Sequence, residues 1–161
     1  MVVTIRQVMI QDLDSCFKVE YACYTNEGAS RARIKKRIEE FSQGFFVAEV
    51  DGKIVGIING TSTNKEDMSD EDLKDMVGFD LKGKRMIIFS LAVHPDYQGK
   101  GISKPLLLRY IEASKEMGKE KILLICKKEL ISYYEKFGFE LIGKSKSTHG
   151  GFEWFEMELV L

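Results

Sequence analysis

Hydrophobic and polar positions along the chain change period several times, and each change marks an element. Val2–Val8 is rich in β-branched residues and reads as a first strand. Beyond it Asp12 is placed to cap a helix. The apolar positions Leu13, Phe17, Tyr21 and Tyr24 then follow at spacings of four, four and three, the period of one helical face, until Gly28 interrupts. Ser30 stands at the cap of a second helix with Ile34, Ile38 and Phe41 on one side and Gly44 at its end. Its other side, Arg31, Arg33, Lys35, Lys36 and Arg37, predicts a solvated cationic face. Phe45–Val50 and Ile54–Ile58 form a hairpin around Asp51-Gly52. Residues 61–84 are polar and mainly acidic, with a short helical stretch around 70–77. Strong apolar strands on both sides make this segment an excursion and not a linker.

The second half alternates strand and helix. Arg85–Val93 is an apolar strand, Leu106–Met117 a helix, and Ile122–Cys126 a run short enough to be only a buried strand. Glu129–Phe137 reads as a helix closed by Gly138, followed by strands over Phe139–Ile142 and Trp154–Leu161. In the last strand Phe155, Met157 and Leu159 alternate with Glu156 and Glu158, which buries one face. The order β-α-α-β-β-β-α-β-α-β-β mixes hairpins with crossovers. It predicts one α/β (α+β mixed) domain over residues 1–161, built on a mixed sheet of seven strands.

Composition narrows the function classes. The chain has 161 residues, 44% hydrophobic, with 24 Lys+Arg against 25 Asp+Glu, so it can build a core and has no basic excess for a general nucleic-acid binder. No apolar run approaches the roughly 20 residues of a membrane span. Met1–Arg6 shows no basic start leading into a long apolar stretch, so the expected location is cytoplasmic. Three cysteines (Cys16, Cys23, Cys126) without a CxxC spacing, and only two histidines (His94, His149), point away from disulfides and from a metal site. Residues 138–145 match the nucleotide-binding pattern GxxxxGK[ST], but a helix precedes them and no helix follows. The pattern therefore lacks the helix N-terminus that would hold phosphate.

Only one stretch gathers both prolines and two close glycines: His94-Pro95-Asp96-Tyr97-Gln98-Gly99-Lys100-Gly101-Ile102-Ser103-Lys104-Pro105. It runs from the end of a strand to the start of a helix, where Pro105 is tolerated in the first turn. Gly99 and Gly101 let the backbone approach a ligand closely. The loop and helix amides then converge with Lys100 and Lys104, which is the chemistry of an anion site.

Gln98-Gly99-Lys100-Gly101-Ile102-Ser103 resembles the Gln/Arg-x-x-Gly-x-Gly/Ala signature of the GNAT superfamily of acyl-CoA-dependent N-acetyltransferases, with Ser103 in place of the last small residue. A second landmark agrees: the strand Lys121–Cys126 and then Tyr133-Tyr134-Glu135-Lys136-Phe137-Gly138-Phe139. The resemblance covers nearly the whole chain and implies a mostly antiparallel sheet with helices on both faces. Leu91-Ala92-Val93-His94, Leu106–Tyr110 and Cys126…Tyr134…Phe139 are most similar to the arylalkylamine N-acetyltransferase branch. Two departures stand out. Ile87 and Phe89 occupy the positions of that branch's two strand histidines, and residues 25–30 replace its Cys-Pro-Leu segment.

The resemblance implies acetyl-CoA as acyl donor, without a metal. Its pyrophosphate would lie on Gln98, Gly99, Lys100, Gly101, Ile102, Ser103 and Lys104, and its pantetheine along Leu91, Ala92 and Val93, with Tyr134 as the acid that protonates the leaving thiolate. The acceptor is a small primary amine attacking directly. The alternatives are a peptide N-terminus or lysine side chain, or a non-catalytic acyl-CoA sensor. His94 is read as structural, and Tyr133 as a core or pocket-lining residue. With no Asp, Glu or His on Arg85–Val93, the attacking amine is either captured already neutral or loses its proton through water to a distant carboxylate such as Glu20. The chain is expected to be a monomer or a homodimer.

Overall fold

The computed structural model describes residues 1–161. In chain order the elements are β1 (Thr4–Gln7), α1 (Leu13–Tyr24), α2 (Arg31–Phe41), β2 (Phe45–Val50), β3 (Lys53–Thr63), β4 (Arg85–Val93), α3 (Ser103–Glu116), β5 (Lys121–Cys126), α4 (Ile131–Glu135), β6 (Glu140–Lys144) and β7 (Phe155–Val160). The seven strands form one sheet in the order β1-β2-β3-β4-β5-β7-β6. All neighbours are antiparallel except β4 and β5. The mixed α/β sheet read from the sequence is the fold observed.

Strand periodicity builds two core layers. On β2, Phe45 and Val47 point into a cluster with Leu13, Cys16, Val19, Ile34 and Ile38 of α1 and α2. Phe46, Ala48 and Val50 point the other way, against Leu106, Leu107 and Tyr110 of α3. Covered on both faces, β2 is apolar almost throughout. Asp51 (φ 51°) and Gly52 (φ 74°) supply the two left-handed positions of the predicted hairpin.

Four local expectations change. Asp12 does not cap α1: its side chain makes no cap bond and instead takes Arg6 and the Met9 amide. The buried face of α1 is Leu13, Cys16, Val19 and Glu20, with Tyr21 and Tyr24 largely exposed. Arg37 leaves the cationic face of α2 and is buried at 2% exposure, whereas Ser30 caps that helix as expected, accepting from the Arg33 amide. The helix expected over 129–137 shrinks to α4 behind a single 3-10 turn at Lys128–Leu130. The segment with the false nucleotide pattern is strand β6.

One irregularity positions everything that follows. Asn59 faces Ser90 and Gly60 faces Ile88, so Phe89 has no partner and bulges from β4. Just before this point β4 and β5 pair only from Arg85↔Lys121 to Ile87↔Leu123. Beyond it they separate, although β4 runs on to Val93 and β5 to Cys126.

Candidate functional site

The gap between the parted strands opens one edge of β4. The His94 amide bonds to the Val55 carbonyl at 2.8 Å, and alternation along an antiparallel strand then pairs Ala92 and Ser90 with β3. Leu91 and Val93 therefore turn their N–H and C=O groups to the open edge, while Ala92 does not. The two carbonyls already have partners. Leu91 O accepts from the Tyr24 hydroxyl at 2.9 Å, and Val93 O from the Cys23 thiol at 3.1 Å and Gln98 Nε2 at 2.9 Å. The amides of Leu91 and Val93 are what this edge offers a ligand.

The edge leads into the loop before α3. His94 caps a 3-10 turn over Pro95–Tyr97, its Nδ1 accepting from the Asp96 amide at 3.1 Å, which is the structural role expected of it. Gly99 and Gly101 take φ of +75° and +76°, and a Cβ at either would meet nothing within 4 Å. Glycine serves the backbone conformation, and the space beside it is open. The amides of Gly101, Ile102, Ser103 and Lys104 precede the first complete turn of α3 and find no acceptor in the chain. Val93, Tyr97, Gln98, Gly99, Gly101, Ile102 and Ser103 line a cavity of about 190 Å³ here. Lys100 and Lys104 are exposed beside it. The Ile102 side chain is core, and the Gln98 side chain is spent on Val93, so both present only backbone to the cavity. Ser103 Oγ lies 2.6 Å from the Tyr133 hydroxyl and ties the loop to α4.

On the far side of the gap α4 carries Tyr134, 8% exposed and set edge-on against Tyr133 and Phe139. Burial, reinforced by the neighbouring Tyr24 and Cys126, pushes its hydroxyl well above the usual phenol value. It stays protonated at any physiological pH, with a proton available to donate. Burial likewise pushes the Cys16 thiol up to about 12 and the Cys126 thiol up to about 11, so neither supplies a thiolate nucleophile.

A second cavity, about 340 Å³, fills the gap between β4, β5, α1 and α2. Its walls are largely apolar: Met68, Ile87, Phe89, Leu124, Leu130 and Trp154. His149 stands in the wall, its Nε2 2.9 Å from the Glu27 carbonyl and its own carbonyl accepting from Trp154 Nε1 at 2.9 Å. Glu27, Arg33, Asp70, Lys74 and Lys127 also line it, together with two charged residues that are buried: Arg37, which the residue patterns put on a solvated face, and Glu20, 3% exposed, which they offered only as a distant proton acceptor. Their helical phase was the available signal. Glu20 follows Cys16 by four and Arg37 follows Ile34 by three, on the buried faces of their helices.

Comparison with known proteins agrees with this geometry. The acetyltransferase (GNAT) family model matches residues 8–139. Serotonin N-acetyltransferase of Mesocricetus auratus is 27% identical over 160 residues, covering 94% of this chain and 74% of that protein. Other curated acetyltransferases that match are spanned over 60% to 66% of their length. Among solved structures, the loading GNATL domain of CurA from Lyngbya majuscula superposes with a TM-score of 0.86 at 17% identity, covering 99% of this chain and 98% of that one. The GphF GNAT-like decarboxylase in complex with isobutyryl-CoA gives 0.83 at 17% identity, with 98% of both chains covered. At such identities these structures establish the shared fold alone.

Proposed function

The chain belongs to the acetyltransferase (GNAT) family, and on that premise we propose that it transfers the acetyl group of acetyl-CoA to a small primary amine with an aromatic or apolar body. The observation that carries this reading is the parting of β4 from β5, which leaves the Leu91–Val93 edge open between two cavities. One cavity suits an anion: it has free amides ahead of α3, open space at Gly99 and Gly101, and two unpaired lysines. The other has apolar walls wide enough for a small amine.

In this arrangement the loop from Gln98 to Lys104 receives the pyrophosphate, chiefly through backbone. The Leu91 and Val93 amides hold the pantetheine arm as an added strand. The Leu91 amide faces the acyl oxygen as negative charge develops there. The amine attacks the acyl carbon, a C–N bond forms and the C–S bond breaks, and the sulfur leaves with the bond's electron pair. A thiol has a pKa of about 8.5 in water, and the Tyr134 hydroxyl, held protonated, gives its proton to sulfur, while the proton that nitrogen sheds on becoming an amide restores the phenol through water. The amine's own proton has no protein base on β4, because Ile87 and Phe89 stand where a histidine would serve. An alkylammonium near pKa 10.4 leaves roughly one molecule in a thousand free at neutral pH. The rate is then tied to that fraction. The apolar walls and the likeness to an enzyme named for serotonin both support an arylalkylamine type of acceptor.

Thiol release from acetyl-CoA, followed with phenylethylamine, spermidine and a peptide amine between pH 6 and 9, tests the reading. Phenylethylamine should be the preferred of the three, with kcat/KM still climbing beyond pH 8. A close analogue of lower pKa should shift the curve down by the pKa difference. Preference for spermidine or the peptide would overturn the acceptor class, and a plateau near pH 7 independent of the amine would reveal a protein base.

A further inference from the structure

The chain has six arginines, and five of them hold a carboxylate within 3.8 Å: Arg6 with Asp12, Arg31 with Asp14, Arg33 with Asp75, Arg85 with Glu66 and Arg109 with Glu112. Arg37 is the exception, and it is also the one arginine that is buried. Its Nη1 donates to Asn59 Oδ1 at 3.0 Å and its Nη2 to the Lys74 carbonyl at 3.3 Å, both neutral acceptors. Its Nε has no partner, and the guanidinium lies 4.6 Å from the centre of the Phe89 ring. Burial pushes its pKa down to about 10, which still leaves a cation at neutral pH. No carboxylate touches it: the charges of Glu20 and Asp75 act on it only from beyond ion-pair distance, and a buried cation without a contacting counter-charge is costly.

Glu20 is its mirror image. The carboxylate is buried, accepting from Ser90 Oγ at 2.5 Å and from the Ala29 amide at 2.8 Å, and no lysine or arginine pairs with it. Ser90 and Asn59 are directly opposed on β4 and β3. One holds Glu20 of α1 and the other holds Arg37 of α2, so Glu20, Ser90, Asn59 and Arg37 form a row across two strands. Both ends of that row line the larger cavity, yet the two charges form no ion pair with each other. Ser90 precedes Leu91, which sets the Glu20 end next to the acyl carbon in the reading above.

We propose that the acceptor is a small amine that also carries a carboxylate, an aromatic amino acid in its general chemistry, with the carboxylate received by Arg37 and the amino group on the Glu20 side. This deepens the acetyl-transfer reading and rests on it. The apolar body of such a molecule would lie on Phe89 and the other apolar walls, while its carboxylate meets the buried Arg37 guanidinium and its neutral amino group can donate an N–H to Glu20.

The first test needs no turnover. Calorimetry on the wild-type protein with CoA present should show 3-phenylpropionate binding at least tenfold more tightly than 3-phenylpropanol, which lacks only the anion. Arg37→Gln should erase the difference. The second test is kinetic. Corrected for each amine's free-base fraction, kcat/KM for phenylalanine should exceed that for phenylethylamine, and Arg37→Gln should lower that ratio by tenfold or more, mainly through KM. Equal binding of acid and alcohol by the wild type, or preference for phenylethylamine, would overturn the proposal and leave acetyl transfer standing. Tight binding of the acid without thiol release from any amine would uphold the anion site and instead defeat the transfer reading.

Discussion

Tyr134 sits among Tyr133, Phe139 and Cys126 as a core residue would, and its motif position is what singles it out. Burial keeps the phenol in its protonated form, the form a proton donor needs. The Tyr134→Phe variant removes one oxygen and keeps the ring contacts. Turnover should fall by roughly 10²–10⁴-fold with CoA affinity little changed, measured by thiol release beside a calorimetric titration. A variant with near-full activity would make Tyr134 a packing residue only. Arg37 shows where sequence reading stops. Three residues after Ile34 it lies in the buried phase of α2, but a lysine- and arginine-rich run is ordinarily solvated. Its inward course depends on Asn59, Lys74 and Phe89, none of which is its neighbour in sequence.

Where Asp12 was expected to cap α1, it ties three elements together. Its carboxylate takes Arg6 Nη1 and Nη2 at 2.7 and 2.9 Å and the Met9 amide at 2.8 Å, while Arg6 also holds Glu49 of β2. The Arg6 guanidinium holds the Asp12 carboxyl below its usual value. This stabilisation is complete above the unfolded-state value near 3.8 and is lost as pH falls through the lower folded-state value. Asp12→Asn should cost about 1–3 kcal/mol at pH 7, with the gap to wild type closing towards pH 3, as thermal melts at the two pH values would show. An equal cost at both would mean that charge is not the cause. The aromatic stripe read onto α1 failed for a related reason. Phe17, Tyr21 and Tyr24 keep helical spacing, but the residues of α1 buried against β2 and β3 include Cys16 and Val19, with Phe17 only partly buried. The tyrosines are left at the rim, where Tyr24 reaches Leu91.

Most of the architecture was legible because period, caps and turns agreed: seven strands, the Asp51-Gly52 hairpin and the loop between β4 and α3 all lie where local patterns put them. The separation of β4 from β5 was not legible, because it arises between segments far apart in sequence and from a bulge that an apolar run conceals. That separation joins the loop cavity, the open edge and Tyr134 into one site. CoA binding is the most direct consequence of that joined site. Titration calorimetry with CoA should give saturable one-to-one binding to the wild type and a raised melting temperature. Gly101→Asp, which sets a carboxylate among the loop amides, should abolish both. Gly101→Ala, with the same backbone strain and no charge, should keep measurable binding. Absence of heat and of any melting shift in the wild type at saturating CoA would contradict the account at its centre.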